Sequence, residues 1–243
     1  MKELSDDLLG IVGGLGPIAS AEFLKTIYEH CLGTTEQESP RVLLYSDPTF
    51  PDRTEALLNG SEAKLLDQLI ATLTHLRRMG ASRFVICCFT IHHLLPRVPV
   101  ELRSRVVSLI DVVYDELTAR QTPHLLLCTI GTRRLRTFER HELWPRVRDL
   151  FVLPDELDQR EVHRMIYEIK SGMDARQRIP FVESLLDKYN ATSFIAGCTE
   201  IHLLAKQFSA TRDDNGCIDP LINIARQLAS NCARAREAEL QSV

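Results

Sequence analysis

Short apolar runs alternate with longer amphipathic stretches along this chain. Residues 8–12, 41–45, 83–87, 124–128 and 193–196 are built mostly of Leu, Ile, Val, Phe and Cys. They are too short for helices, so each predicts a strand. Residues 61–79 carry apolar side chains at i, i+3, i+4 and i+7 spacing, which predicts a helix with one core face. Residues 18–31 predict another, entered through Gly13-Gly14-Leu15-Gly16-Pro17. Strands spaced by helices of this length need crossover connections, which points to parallel sheets and an α/β fold. The most polar stretch, 209–217, is the expected crossing between lobes.

The chain also repeats itself. Phe84-Val85-Ile86-Cys87-Cys88-Phe89-Thr90-Ile91-His92 aligns with Phe194-Ile195-Ala196-Gly197-Cys198-Thr199-Glu200-Ile201-His202. Phe, Cys, Ile and His coincide. A weaker pair lies upstream, where Leu9-Gly10-Ile11-Val12-Gly13-Gly14 resembles Leu127-Cys128-Thr129-Ile130-Gly131-Thr132. Two matches in the same order indicate a duplicated unit. The expected architecture is two pseudosymmetric lobes facing each other, each a mostly parallel sheet flanked by helices.

Composition narrows the classes. The 243 residues are 44% hydrophobic and 26% charged, enough for a sizeable core. A net charge of -4 shows no basic surplus, which argues against a nucleic-acid or anionic-membrane partner. No apolar run reaches the roughly 18 residues that cross a bilayer. The first residues lack a secretory signal pattern, so the expected location is cytoplasmic. The cysteine count is 7, odd and without a CxxC, against a disulfide framework or a zinc site.

Two of those cysteines stand apart. Cys88 and Cys198 each end a strand and precede a helical pattern. Ligands of parallel α/β sheets bind beyond the carboxyl ends of strands. A helix N-terminus favours negative charge, which predicts thiol pKa values lowered toward neutrality. Facing lobes would bring both sulfurs to one cleft, where a thiolate takes a proton from one face of a carbon and a thiol returns one to the other. The residues alone also accommodate the bland reading, two small core side chains. Cys87 points to the opposite sheet face from Cys88 and reads as core. His92 and His202, about one helical turn after the cysteines, either tune the thiols or pack at a junction; both readings stand.

At these residues the sequence resembles the aspartate/glutamate racemase superfamily, in its aspartate racemase branch. The segment 13–17 is similar to the family's N-terminal glycine turn, and Pro51-Asp52-Arg53-Thr54 to its Pro-Asp-Arg-Thr segment. Cys88-Phe89-Thr90-Ile91-His92 stands where the family has Cys-Asn-Thr-Ala-His. Thr129-Ile130-Gly131-Thr132 resembles its Thr-x-Gly-Thr turn, Ile169-Lys170-Ser171-Gly172 its Lys-x-Gly segment, and Gly197-Cys198-Thr199-Glu200-Ile201 its second cysteine motif.

The resemblance implies a cofactor-independent isomerase, without pyridoxal phosphate or metal, whose active site lies in the cleft between the lobes. It implies Cys88 and Cys198 as the catalytic acid/base pair. Gly14, Arg53, Phe89, Thr90, Thr132, Lys170, Thr199 and Glu200 would bind the substrate, a small acidic amino acid such as aspartate or glutamate. Arg53 and Lys170 would face its carboxylates. It implies a homodimer, with residues 1–118 and 217–243 in the first lobe and 119–216 in the second. The departure at Phe89 removes an amide and adds bulk. Two other readings stand beside this one: an isomerase or lyase of another small dicarboxylate with a nucleophilic cysteine, and a non-catalytic binder of an acidic ligand.

Overall fold

The computed structural model describes residues 8–33, 35–210 and 216–241. In the first half, strands β1 (Leu9–Gly13), β2 (Val42–Ser46), β3 (Arg83–Ile86) and β4 (Val106–Val107) are interleaved with helices. These are α1 (Pro17–His30), α2 (Arg53–Leu58), α3 (Glu62–Arg78), α4 (Val100–Arg103) and α5 (Leu109–Arg120). The second half holds β5 (His124–Leu127), β6 (Phe151–Val152) and β7 (Phe194–Ala196). Its helices are α6 (Ile130–Arg134), α7 (Trp144–Val147), α8 (Glu156–Lys170), α9 (Ile179–Lys188), α10 (Ile201–Ala210) and α11 (Pro220–Gln241).

The strands form two sheets, ordered β2-β1-β3-β4 and β6-β5-β7, and every pairing is parallel. Ile218 makes a parallel bridge to Ile195, donating its N–H to Phe194 O at 2.9 Å and accepting from Ala196 N–H at 2.8 Å. It occupies the place that β4 takes in the first sheet. Both halves therefore run second, first, third, fourth across the sheet, as the internal repeat predicts. Among the described residues, no helix is long and apolar enough to cross a membrane.

Period-2 alternation divides each sheet between two apolar layers. On β3, Val85 and the following Cys87 face one core cluster, while Phe84, Ile86 and Cys88 face another. On β5 and β7, Leu126 and Ile195 enter the same cluster as Val85, and Leu125, Leu127, Phe194 and Ala196 face outward to a third. One layer thus spans both sheets, with residues of α1, α5 and α11 inside it. The last helix, α11, lies against α1 and α5.

The structure departs from the sequence reading in three places. Four of the strands end a residue earlier or later than the apolar runs, while β7 ends with its run at Ala196, and β4 and β6 hold only 2 residues each, too few to show a period. After Cys88 the helical pattern becomes a 3-10 stretch, Thr90–Arg97, where an α-helix was expected. Pro96 within it has no N–H to give and disfavours α backbone at the residue before it. The expected crossing at 209–217 falls partly outside the described residues, which omit 211–215.

Gly14 fixes the turn that leaves β1. Its φ is +84°, and a Cβ there would meet the Asp47 backbone at 2.2 Å. We expect Gly14→Ala to lower unfolding free energy by at least about 2 kcal/mol, from left-handed strain plus the clash. Urea denaturation of the two proteins measures it. An unchanged midpoint and slope would remove this constraint from the fold.

Candidate active site

Both cysteines of the repeat leave the carboxyl ends of third strands, β3 and β7. Each is buried, at 8% exposure for Cys88 and 7% for Cys198. The Cys88 charge acts on Cys198, so the sulfurs share one electrostatic neighbourhood. Their immediate partners are of opposite sign.

Cys88 faces a cation. Arg53 begins α2, whose N-cap Asp52 accepts from Glu55 N–H at 3.0 Å. The guanidinium donates to Pro51 O at 3.1 Å and to Leu15 O, and it reaches the Cys88 thiol. Burial works to lower its pKa, but Cys88, Asp52 and Glu200 more than offset this and hold it above the usual range. Its Nε is buried without a hydrogen-bond partner.

Cys198 faces a carboxylate. Its thiol donates to Glu200 Oε2 at 2.8 Å. Burial first, and then Glu200, push Cys198 well above the ordinary thiol range. The sequence expectation of a lowered value is corrected here, because burial and, after it, the Glu200 carboxylate raise the thiol. Lys170 Nζ lies 3.8 Å from Glu200 Oε1 and 4.6 Å from the centre of the Tyr167 ring. Tyr167 in turn donates to Asp52 Oδ2 at 2.7 Å, joining α8 to the start of α2.

Hydroxyls join the halves. Thr90 lies 2.9 Å from Thr132 and 3.1 Å from Thr129, oxygen to oxygen, and all three are buried. Thr199 donates to Cys87 O at 3.2 Å. Gly16 leaves room for Glu200, since a Cβ there would stand 2.0 Å from Oε1. Two cations, one carboxylate and two thiols thus lie in one interacting group.

A protein-family model described as Asp/Glu/Hydantoin racemase matches residues 12–228. The chain belongs to that family. It is therefore an isomerase of the racemase type. Solved structures of the family share its fold. The aspartate racemase of Picrophilus torridus is 22% identical, with a TM-score of 0.78 over 93% of this chain and 94% of that one. An aspartate racemase homologue from Pyrococcus horikoshii OT3 is also 22% identical, with a TM-score of 0.64 over 93% of this chain and 99% of that one. The glutamate racemase of Francisella tularensis, solved with D-glutamate, is 16% identical, with a TM-score of 0.64 over 96% of this chain and 83% of that one.

For this racemase, the structure brings Cys88, Arg53, Cys198, Thr199, Glu200 and Lys170 together, with Thr90 and Thr132 bonded to each other. Gly14 is held against the Asp47 backbone, one residue before Leu15, whose carbonyl accepts from Arg53. Phe89 is 1% exposed, and its ring packs 5.7 Å from Phe138 inside the core layer that spans both sheets. The side chain that replaces the family's Asn is core, not a contact in the charged group.

The histidines are also settled by their partners. His92 accepts from Leu109 N–H at Nε2, 3.2 Å away, so Nδ1 carries the proton and donates to Cys88 O at 2.7 Å. Burial pushes it down to about 4, and it is neutral. His202 bonds Asp219 at 2.7 Å and Thr26 at 3.0 Å. Each spends both ring nitrogens on the scaffold. Sequence reasoning passed over Asp52, Tyr167 and Gly16. Tyr167 stands three residues before Lys170 on α8, the spacing of one helix face, and that periodicity was the available signal.

Replacing Glu200 by Gln removes a negative neighbour, so the Cys198 pKa should fall. Mass spectrometry of iodoacetamide-treated protein across a pH series reports it. The half-reaction pH of Cys198 should be lower in Glu200→Gln than in the parent. An equal or higher value would show that the carboxylate does not control the thiol.

Proposed function

We propose that the protein is a cofactor-independent racemase of an acidic amino acid, aspartate or glutamate, with Cys88 and Cys198 exchanging the α-proton on opposite faces. One observation carries this reading: two buried thiols from equivalent strand ends, one beside a guanidinium and the other donating to a carboxylate.

The reaction follows from those partners. In one direction the Cys88 thiolate, its charge balanced by Arg53, removes the α-proton. Cys198, kept protonated by burial and Glu200, delivers its proton to the opposite face. In the other direction the Cys198 thiolate left by that transfer removes the α-proton, and the Cys88 thiol, protonated in the first direction, returns its proton to the opposite face. Charge developing on the substrate α-carboxylate is balanced by cations fixed beforehand, Arg53 and Lys170. An arginine fork suits a carboxylate with two parallel bonds, whereas lysine acts as a point charge. The Glu200 carboxylate complements the substrate ammonium. Deuterium oxide exposes each proton transfer separately from inversion.

Purified protein should exchange the α-proton of L- and D-aspartate or of L- and D-glutamate in deuterium oxide with no added cofactor. Proton NMR follows the exchange and polarimetry follows inversion. Cys88→Ala and Cys198→Ala should each slow racemisation by about 10²–10⁴-fold, the usual worth of a positioned acid or base. Arg53→Lys should raise KM more than it lowers kcat. No exchange with either acidic amino acid would end the proposal. Loss in Cys88→Ala alone would replace it with single-nucleophile chemistry.

A further inference from the structure

A pocket of about 360 Å³ opens beside the segment that follows Cys88. Its lining comes from both halves of the chain: His93, Arg103 and Ser108 from the first, Thr137, Arg140 and His141 from the second. None of these residues belongs to the charged group around the thiols.

Its donors are unusually free. Arg103 donates to Pro96 O at 3.0 Å, and Arg140 donates to His93 Nδ1 at 3.1 Å. Among the described residues neither guanidinium is in an ion pair, so most of their N–H groups remain available. With Nδ1 accepting, His93 is neutral and carries its proton on Nε2. The Thr137 hydroxyl is buried in a residue of 7% exposure and has no hydrogen-bond partner. Buried polar atoms are rarely left so, and Thr137 is one of the residues that line the cavity.

The one carboxylate in the lining is engaged through one of its oxygens. Asp111 Oδ1 accepts from Ser108 Oγ at 2.8 Å and lies 3.3 Å from His141 Nε2. What remains is two guanidinium groups, an imidazole N–H and a hydroxyl, all able to donate. That set matches an oxyanion with several acceptors. Leu95 and Ile110 add an apolar wall, and the volume exceeds what a bare ion fills. The wall is fixed in advance, because His92 at its edge is tied to Cys88 O and Leu109 N–H.

We propose that this pocket binds a small organic anion through its phosphate or carboxylate group, at a site separate from the two thiols. Calorimetric titration of the full-length protein at low salt, with inorganic phosphate and with citrate as probes, tests it. We expect saturable one-site binding of at least one probe, and which probe binds identifies the anionic group. Arg140→Ala, at an exposed position, should weaken it by about tenfold or more, the scale of a charge-assisted hydrogen bond. Thr137→Val, which keeps the side-chain shape, should weaken it severalfold. Lys170→Ala should leave it unchanged. Circular dichroism establishes that each variant is folded, and Arg140→Gln substitutes for any that is not. Absence of saturable binding by both probes overturns the proposal. So does binding indifferent to both Arg140 and Thr137 changes, or binding lost in Lys170→Ala and kept in Arg140→Ala, which would put the anion between the thiols.

Discussion

A carboxylate removed from water costs several kcal/mol unless its surroundings compensate, and Glu200 is only 2% exposed. Its compensation organises the candidate site. Oε2 accepts the Cys198 thiol at 2.8 Å, and the Thr199 hydroxyl, which donates to Cys87 O, lies 3.4 Å from it. Oε1 has the Lys170 ammonium at 3.8 Å and no hydrogen bond, so it retains capacity for a further donor. The room for Oε1 exists because residue 16 is Gly. Remove this carboxylate and three consequences follow together: Cys198 loses its acceptor, Lys170 its counter-charge, and Arg53 one of the anions that stabilise it.

The duplicated frame shows which of these features come from the fold. Both halves have the same strand order, and each carries a cysteine after its third strand and a histidine one turn later. The histidines do the same mechanical job with different chemistry. His92 ties the end of β3 to the first N–H of α5, as a neutral ring. His202 ties α10 to Asp219, which caps α11 by accepting from Leu221 N–H at 2.9 Å. The junction is common to both lobes, and the charge at it is particular to one. Opposite partners for the two thiols are a second divergence within one repeated frame.

Much of the fold was legible in the chain because it rests on short-range periodicity. Alternation alone separates Cys87 from Cys88, and the structure puts them in different apolar layers. The internal repeat carried the two-sheet arrangement, and the motifs carried Arg53, Lys170 and Glu200 to one place. The parts that were not legible depend on three-dimensional neighbours. Burial and Glu200 reverse the expected direction of the Cys198 shift, and no local spacing reports how dry a strand end is. The strands Val106–Val107 and Phe151–Val152 exist because a neighbour offers an edge, not because two residues make a pattern.

Phe89 shows how a local mismatch with a family motif resolves in space. At the position after Cys88 an amide would present polar atoms, and a phenyl ring has none. The backbone there is right-handed helical, φ -68° and ψ -43°, at the entrance to the 3-10 stretch. The ring packs with Phe138, which packs 5.5 Å from Phe151, and Tyr114 donates to Phe138 O at 2.7 Å. Phe89 belongs to the first half, and Phe138 and Phe151 to the second. A buried aromatic side chain contributes on the order of 2–3 kcal/mol through area removed from water. Phe89 therefore sits at the joint between the two halves. That joint lies one residue from Cys88 in the chain, and the two neighbouring side chains enter different apolar layers, Phe89 the one that spans both sheets and Cys88 the one beside α3.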